Sequence, residues 1–427
     1  MKIRRQLRSC FRQLTLTLGL VLIVSAHADQ VVALSTAPGT GESNWCALTQ
    51  ALNAGGTLTV LPGTYDVTIP NSATDPWPSL KIYDGTILQG DSTGTSILRF
   101  SNVVPAPVSD WFIMFEVVGN NIQIRNLKIS SALWSASPGT AISLGSQVQN
   151  FTMDTVTIDG GGLSRINSYI NGLPVEQCHG IFVADGNDNS LRSHIVINNC
   201  TFTNCGYGIY SNNSFKGAAT DWRISNCNFS FNYGDNIEIN APPHRRLDDG
   251  TTLNPGTTLG AGMTLSNGTK LNDTNGDGSY SDVIIEHCHF STNLKPANDE
   301  SAGFGIGLSG SVSNVLITSN DFTNYTHEAI HLENGCSDTV ITQNMITGCQ
   351  RGMRIGAANK NTKNISVTRN TLIAPIGPSI VTSVGIQLVD AGYHQEPLTV
   401  ASTTNSTVAH IGIIIPDCYP VGILVKE

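Results

Sequence analysis

The sequence predicts an all-β solenoid, a single domain in which short strands wind into stacked coils, and three observations support this. First, six segments share one pattern: His194 to Phe202, Asp221 to Phe229, Val283 to Phe290, Val315 to Phe322, Thr339 to Ile346 and Ile365 to Leu372. Each alternates apolar and polar residues and then places Cys or Asn at one fixed position, as Cys200, Cys227, Cys288, Asn320, Asn344 and Asn370. Second, most recur about every 24 to 33 residues, a period at which each repeat covers the apolar face of its neighbour. Third, a second ladder runs in phase with the first, from Ala141–Ser146 and Gly180–Asp185 through Ala329–Asn334 to Gly385–Asp390. Its second and fourth residues are apolar, with Ser211 the exception at the fourth, so those point inward and the third and fifth point outward.

Composition agrees. Of 427 residues only 13% are charged, 40% are hydrophobic and the net charge is −9. Many turns need Gly and Asn, which tolerate unusual backbone angles. The acidic balance argues against sequence-independent nucleic-acid binding, which needs a basic face.

Along the chain, residues 1–28 read as an export signal. Lys2, Arg4, Arg5, Arg8 and Arg12 form a basic region, the apolar run Leu14 to Val24 follows, and Ala26-His27-Ala28 is a cleavage site. The run is too short to span a bilayer, and no later stretch reaches membrane-spanning length, so the expected product is secreted or periplasmic without a membrane span. Oligomeric state is left open. In residues 43–53, Trp45, Leu48 and Leu52 fall at helical spacing, with Ser43 or Asn44 as N-cap and Gly55-Gly56 as the stop. An amphipathic helix here would cover the open apolar end of the first coil. Gly55 to Val67 then reads as strand, Pro-Gly turn, strand.

A helix, then GGTLTVLPGTYDV, then coils of this form resembles the pectate-lyase-like right-handed parallel β-helix superfamily over residues 43–395. The resemblance implies one domain, residues 29–427, of roughly ten right-handed coils. It implies no single activity, because that superfamily holds lyases, hydrolases, epimerases, tailspikes and non-catalytic surface proteins. The polygalacturonase, pectate lyase and mannuronan epimerase motif sets are absent, so no catalytic residue is carried over by motif.

Two departures from regular coils are expected: an insertion over 241–281 and a C-terminal cap over 392–427. Cys200, Cys227 and Cys288 share one register position and read as stacked interior thiols, continued by an amide ladder of Asn320, Asn344 and Asn370. Cys336 and Cys349 are a candidate disulfide pair.

The outward third position gives Ser143, Phe182, Tyr210, Glu238, Gly307, His331, Arg354 and Gln387 in coil order, and the fifth includes Asn240 and Glu333. Phe182 and Tyr210 suit the apolar face of a sugar ring. Glu238, His331, Glu333 and Arg354 are the candidate catalytic residues. Asn240, and His244 and Arg245 from the insertion overhanging the same groove, join Phe182 and Tyr210 as candidate substrate contacts. In β-elimination from a uronate, Arg354 would neutralise the carboxylate, His331 would take the proton, and the two Glu would position sugar or calcium. In inverting hydrolysis, Glu238 and Glu333 would flank the scissile bond, with Asp235 in reserve. The expectation is an exported enzyme degrading an acidic polysaccharide, a lyase first and a hydrolase second. The rival is a non-catalytic glycan-binding, adhesin or periplasmic scaffold protein. Asp273, Asn275 and Asp277 match the first half of a calcium loop, with Asp282 as substitute for its last ligand.

Overall fold

The computed structural model describes residues 29–70, 78–101, 112–133, 139–161, 169–170, 173–174, 178–184, 190–211, 217–241, 278–291, 303–325, 327–333, 336–349, 351–356, 363–373, 384–388, 399–401 and 424–426. The expected export signal, His244, Arg245, Asp273, Asn275 and Asp277 lie outside them.

Each full coil contributes three strands, and every coil-to-coil pairing is parallel. One wall is a ten-stranded sheet that includes Cys178–Val183, Ile209–Ser211, Ile237–Asn240, Ile306–Ser309, Glu328–Glu333 and Arg351–Ile355. The other two walls belong to one continuous sheet. Long strands such as Leu191–Asn198 and Val312–Thr318 bend into three-residue strands such as Thr201–Thr203 and Asp321–Thr323. Crossovers between parallel strands take the right-handed sense.

The bend has a simple cause. Asn199, Asn226, His287, Ser319, Gln343 and Arg369 all have φ between 53° and 58°, a left-handed residue that turns the chain sharply. The next residue on each coil is the Cys or Asn of the ladder, aimed inward. Asn320 Nδ2 donates to the Ile285 carbonyl at 2.9 Å and to Asn344 Oδ1 at 3.0 Å, while the Asn320 amide donates to the same Oδ1 at 3.0 Å. Asn344 repeats this toward Ile317 and Asn370. Earlier coils use thiols: Cys200, Cys227 and Cys288 donate to the Asn198, Ser225 and Glu286 carbonyls at 3.0–3.3 Å. Beside the ladder, Phe202, Phe229, Phe290 and Phe322 stack with centroids 4.6–5.0 Å apart and planes within 6°. The coil rise in the hydrogen-bonding direction, about 4.8 Å, sets that spacing.

The capping helix runs Gly41–Ala54, with Trp45, Leu48, Ala51 and Leu52 buried against the first coil. Its start differs from the expected Ser43 or Asn44. Thr40 is the N-cap without a side-chain cap bond, and Asn44 instead ties the helix to Ser35 and the Asp66 carbonyl. The expected disulfide is also corrected. Cys336 and Cys349 are both free, the first donating to the Leu308 and Glu333 carbonyls at 3.2 Å and the second turned to the Thr347 carbonyl. They are separate buried thiols on successive turns. Past Gly392, Thr399–Ala401 and Leu424–Lys426 still pair in parallel onto the long-strand wall, so the stack continues into the expected cap. Among the described residues no helix is long and apolar enough to cross a membrane.

Candidate functional site

The ten-stranded wall carries the site. Its strand pairings place Glu116, Ser143, Phe182, Tyr210, Glu238, Gly307, His331 and Arg354 in one outward column, with Gln387 next to Arg354 in register. Asn240, Ser309 and Glu333 form the parallel column two residues on. The order expected from the sequence is the order observed.

A third column was not foreseen as such, although Asp235 was held in reserve as an acid: His179, Tyr207, Asp235, Phe304, Glu328 and Arg351, each immediately before the ladder segment of its coil. Strict alternation sends that position inward. The small residue after it breaks the alternation. A Cβ on Gly180 would lie 2.3 Å from the Gly208 carbonyl oxygen and 2.6 Å from the Phe202 ring, and Gly208 and Gly305 repeat this geometry. The glycine position therefore faces the interior beside another inward residue, and the residue before it is turned to the outside. The motif glycines and the charged or aromatic residue preceding each are one device.

These columns converge between the Glu238 and Arg354 coils. Asp235, 1% exposed, accepts the Gly303 and Phe304 amides at 2.6 and 2.9 Å. Its other oxygen lies where a Gly307 side chain would begin, 2.5 Å from an added Cβ. The missing side chain thus makes a gap floored by a carboxylate. On one side Glu238 accepts a hydrogen bond from Asn240 Nδ2. On the other, His331 Nε2 stands 3.4 Å from Glu333 Oε2. The His331 ring packs edge-on against Phe304 at 4.3 Å, and both its nitrogens are buried without a hydrogen-bond partner, so its approach to Glu333 is a close charge contact. The close approach of His331, then Arg354 and the Ser309 hydroxyl, hold the Glu333 carboxyl below its usual range against the opposing effect of burial.

Arg354 is next to His331 in register. Its guanidinium is 4.0 Å from Glu328, a carboxylate 1% exposed that also accepts Arg351 Nη1 at 2.9 Å. Arg354 Nε is buried with no hydrogen-bond partner. Glu328 holds two cations at one end of the gap while Glu238 and Asp235 supply negative charge at the other. Such a site can neutralise an anion, orient a sugar and accept a proton.

Toward the N-terminal end of the same wall, Phe182 and Tyr210 stack at 5.9 Å and Tyr207 stacks on Tyr210 at 4.6 Å. His179 meets both tyrosines at 5.0–5.1 Å. Gly234 permits this, since a Cβ there would strike the Tyr207 ring at 2.6 Å.

The calcium expectation touches the described residues only at Asp282. Both its oxygens are engaged, by Thr220 and Ser281 hydroxyls at 2.9 and 3.0 Å and by Asn314. The Asn314 bond, followed by that of Thr220, lowers its pKa. No group of three metal-binding side chains occurs among the described residues.

Residues 214–396 match the family described as "Right handed beta helix region". No curated protein matches the chain. Among solved structures, the chain is similar to the Dettilon tailspike protein, at 14% identity over 92% of this chain and 72% of that one, TM-score 0.49. It is also similar to PfbA, a surface adhesin of Streptococcus pneumoniae, at 14% over 85% and 87%, TM-score 0.45. A third is a family 28 exopolygalacturonase of Yersinia enterocolitica, at 10% over 94% and 78%, TM-score 0.40.

Proposed function

We propose that this right-handed parallel β-helix acts on polysaccharides, as an exported enzyme cutting an acidic chain by β-elimination. One observation carries the reading: a stacked aromatic platform runs along the outward wall into a gap lined by Asp235, Glu238, His331, Glu333 and Arg354. The rings take the apolar faces of sugar residues. At about 4.8 Å per coil, a sugar chain laid along the axis meets a new coil at nearly every residue.

Arg354 neutralises the uronate carboxylate, lowering the cost of the carbanion formed as the adjacent carbon loses its proton. The base is the His331–Glu333 pair. The sequence pattern pointed to His331 alone, but His331 is 5% exposed and the Glu333 side chain 36%, so Glu333 is the member that meets the chain and His331 the one that orients it. Elimination then breaks the glycosidic C–O bond and leaves an unsaturated uronate. Calcium bound by the Asp273–Asp282 segment belongs to this proposal as a stiffening ion, and chelator treatment should lower the melting temperature; an unchanged melting temperature would remove the ion.

A second reading, inverting hydrolysis, is favoured by the carboxylate-floored gap. Glu238 and Glu333 are two coil steps apart, about 9.6 Å along the axis, and two residues apart along the strand, so their carboxyl groups must lean toward each other to come within the inverting range. The deciding assay incubates the purified protein with pectate, alginate and glycosaminoglycans and follows unsaturated-uronate absorbance and new reducing ends together. Both signals mean lyase; reducing ends alone mean hydrolase. Neither, across a wide glycan panel, removes the enzyme reading and leaves a glycan-binding or scaffold protein. Glu333→Gln should lower turnover by about 10²–10⁴, the loss of a proton-transfer group, and His331→Ala, which removes the group that orients it, should lower turnover as well, while circular dichroism stays unchanged.

A further inference from the structure

The outward wall is electrically divided. On the coils of Ser143, Phe182 and Tyr210, the three outward columns carry no charged group. From the next coil onward they carry Asp235, Glu238, Glu328, Glu333, Arg351 and Arg354. The uncharged half is also the aromatic half, and it is built rather than incidental. Gly234 clears space for the Tyr207 ring, Tyr207 stacks on Tyr210, Tyr210 on Phe182, and His179 closes the group edge-on. Burial pushes the His179 pKa down to about 3, so that ring too is neutral near pH 7. Phe182, Tyr207 and Tyr210 are each partly exposed, so the faces and edges of the group reach the surface.

We infer that His179, Phe182, Tyr207 and Tyr210 form a subsite for neutral sugar residues, distinct from the carboxylate-binding end at Arg354. The occupant is argued from three features. Phe182, Tyr207 and Tyr210 offer apolar faces with hydroxyl edges, which suits pyranose faces and their hydroxyl groups, while His179, 1% exposed, backs the tyrosines from within. No cation stands on these columns at the coils of Phe182 and Tyr210 to offset a bound carboxylate, and Lys81, farther toward the N-terminus, is already paired with Glu116; burial of a carboxylate beside the rings would be costly. The shelf also runs directly into the acid–Arg gap, so one chain can occupy both. The natural ligand is therefore a heteropolysaccharide, with neutral sugars over the shelf and a uronate four coil steps on, about 19 Å from Tyr210 to Arg354. This deepens the proposed polysaccharide reading and rests on it.

The test is calorimetric titration of the full chain with two probes, neutral gluco- or galacto-oligosaccharides and homo-oligouronates. Wild type should bind a neutral oligosaccharide, and Phe182→Ala and Tyr210→Ala should each weaken it about tenfold, the loss of roughly 1.4 kcal/mol. Tyr210→Phe, which keeps the stack, should retain most affinity and guards against misfolding as the cause. Arg354→Ala should leave neutral binding unchanged and weaken uronate binding. Undetectable neutral binding, neutral binding indifferent to both ring removals, or uronates held on the rings as tightly as neutral sugars would each overturn the inference. Binding is read without turnover, so a failed shelf with intact cleavage counts against this inference alone. A working shelf without cleavage counts against the catalytic reading alone.

Discussion

At Gly307 a hydrogen atom does what no side chain there would permit. Asp235 occupies the space a Cβ would need, and its other oxygen is fixed by two backbone amides. Gly307→Ala must push the carboxylate aside or break those bonds in a buried site, costing about 1–3 kcal/mol of stability. Denaturant midpoints would read that loss, and turnover should fall with it; an unchanged midpoint would mean Asp235 moves freely. Glu333 gives a pH-dependent counterpart. Its folded pKa is depressed, so its stabilisation is complete above the usual carboxylate range and disappears as pH falls through the lowered value. The stability gap between wild type and Glu333→Gln should therefore close only at acid pH, in unfolding curves taken from pH 7 downward. A gap constant to low pH would show that Glu333 is not ionised against His331. Residue by residue, the site was half legible. The third-position column could be read from alternation alone. Phe304 and Glu328 could not, because the small Gly305 and Ala329 face inward beside a second inward residue and reverse the parity that alternation assumes, and Asp235, offered only as a reserve acid, was not placed in their column.

The recurring element is the corner, a left-handed residue followed by an inward Cys or Asn. Its legibility was high because each coil repeats it. What the repeat did not show was that the two residue types bond differently. Asn344 spends its amide on the Ile317 carbonyl and Asn370, while its oxygen takes the amide and side chain of Asn320. A Cys in the same place makes only weak thiol contacts with carbonyls. Asn344→Ala leaves several buried groups unsatisfied, and at about 1–3 kcal/mol for each lost partner the total should exceed roughly 3 kcal/mol. Asn344→Cys should cost less, because the earlier coils show that a thiol satisfies the same carbonyls and fills the same space. Equilibrium urea unfolding of the two variants ranks them; equal losses would mean that volume, rather than hydrogen bonding, governs the ladder. The direction in which the thiols point also explains why the Cys336–Cys349 pairing misled. Cys336 and Cys349 are near in sequence, but each is buried with its sulfur turned to a backbone carbonyl.

In the whole molecule, each coil touches only its neighbours, so stability is a sum of coil and interface contributions rather than one core. The candidate site straddles the longest interruption in sequence between successive coils, from the strand ending at Asn240 to the one beginning at Ser279, across which the sheets stay paired in parallel. The aromatic shelf lies on the N-terminal side, and His331, Glu333 and Arg354 lie beyond it. A lesion on the C-terminal side should therefore loosen the charged half while the shelf keeps its structure. The buried thiols report this directly. Cys200, Cys205 and Cys227 lie before the interruption and Cys336 and Cys349 after it, all buried, whereas Cys46 is exposed. In native buffer Cys46 should be alkylated first. With Asn344→Ala in rising urea, Cys336 and Cys349 should be labelled at lower concentration than Cys200 and Cys227, as read by residue-resolved mass spectrometry. Uronate binding at Arg354 should fail over the same range in which neutral-sugar binding persists. Simultaneous labelling of all five would mean that the coils unfold as one unit, and that the interruption carries no energetic boundary.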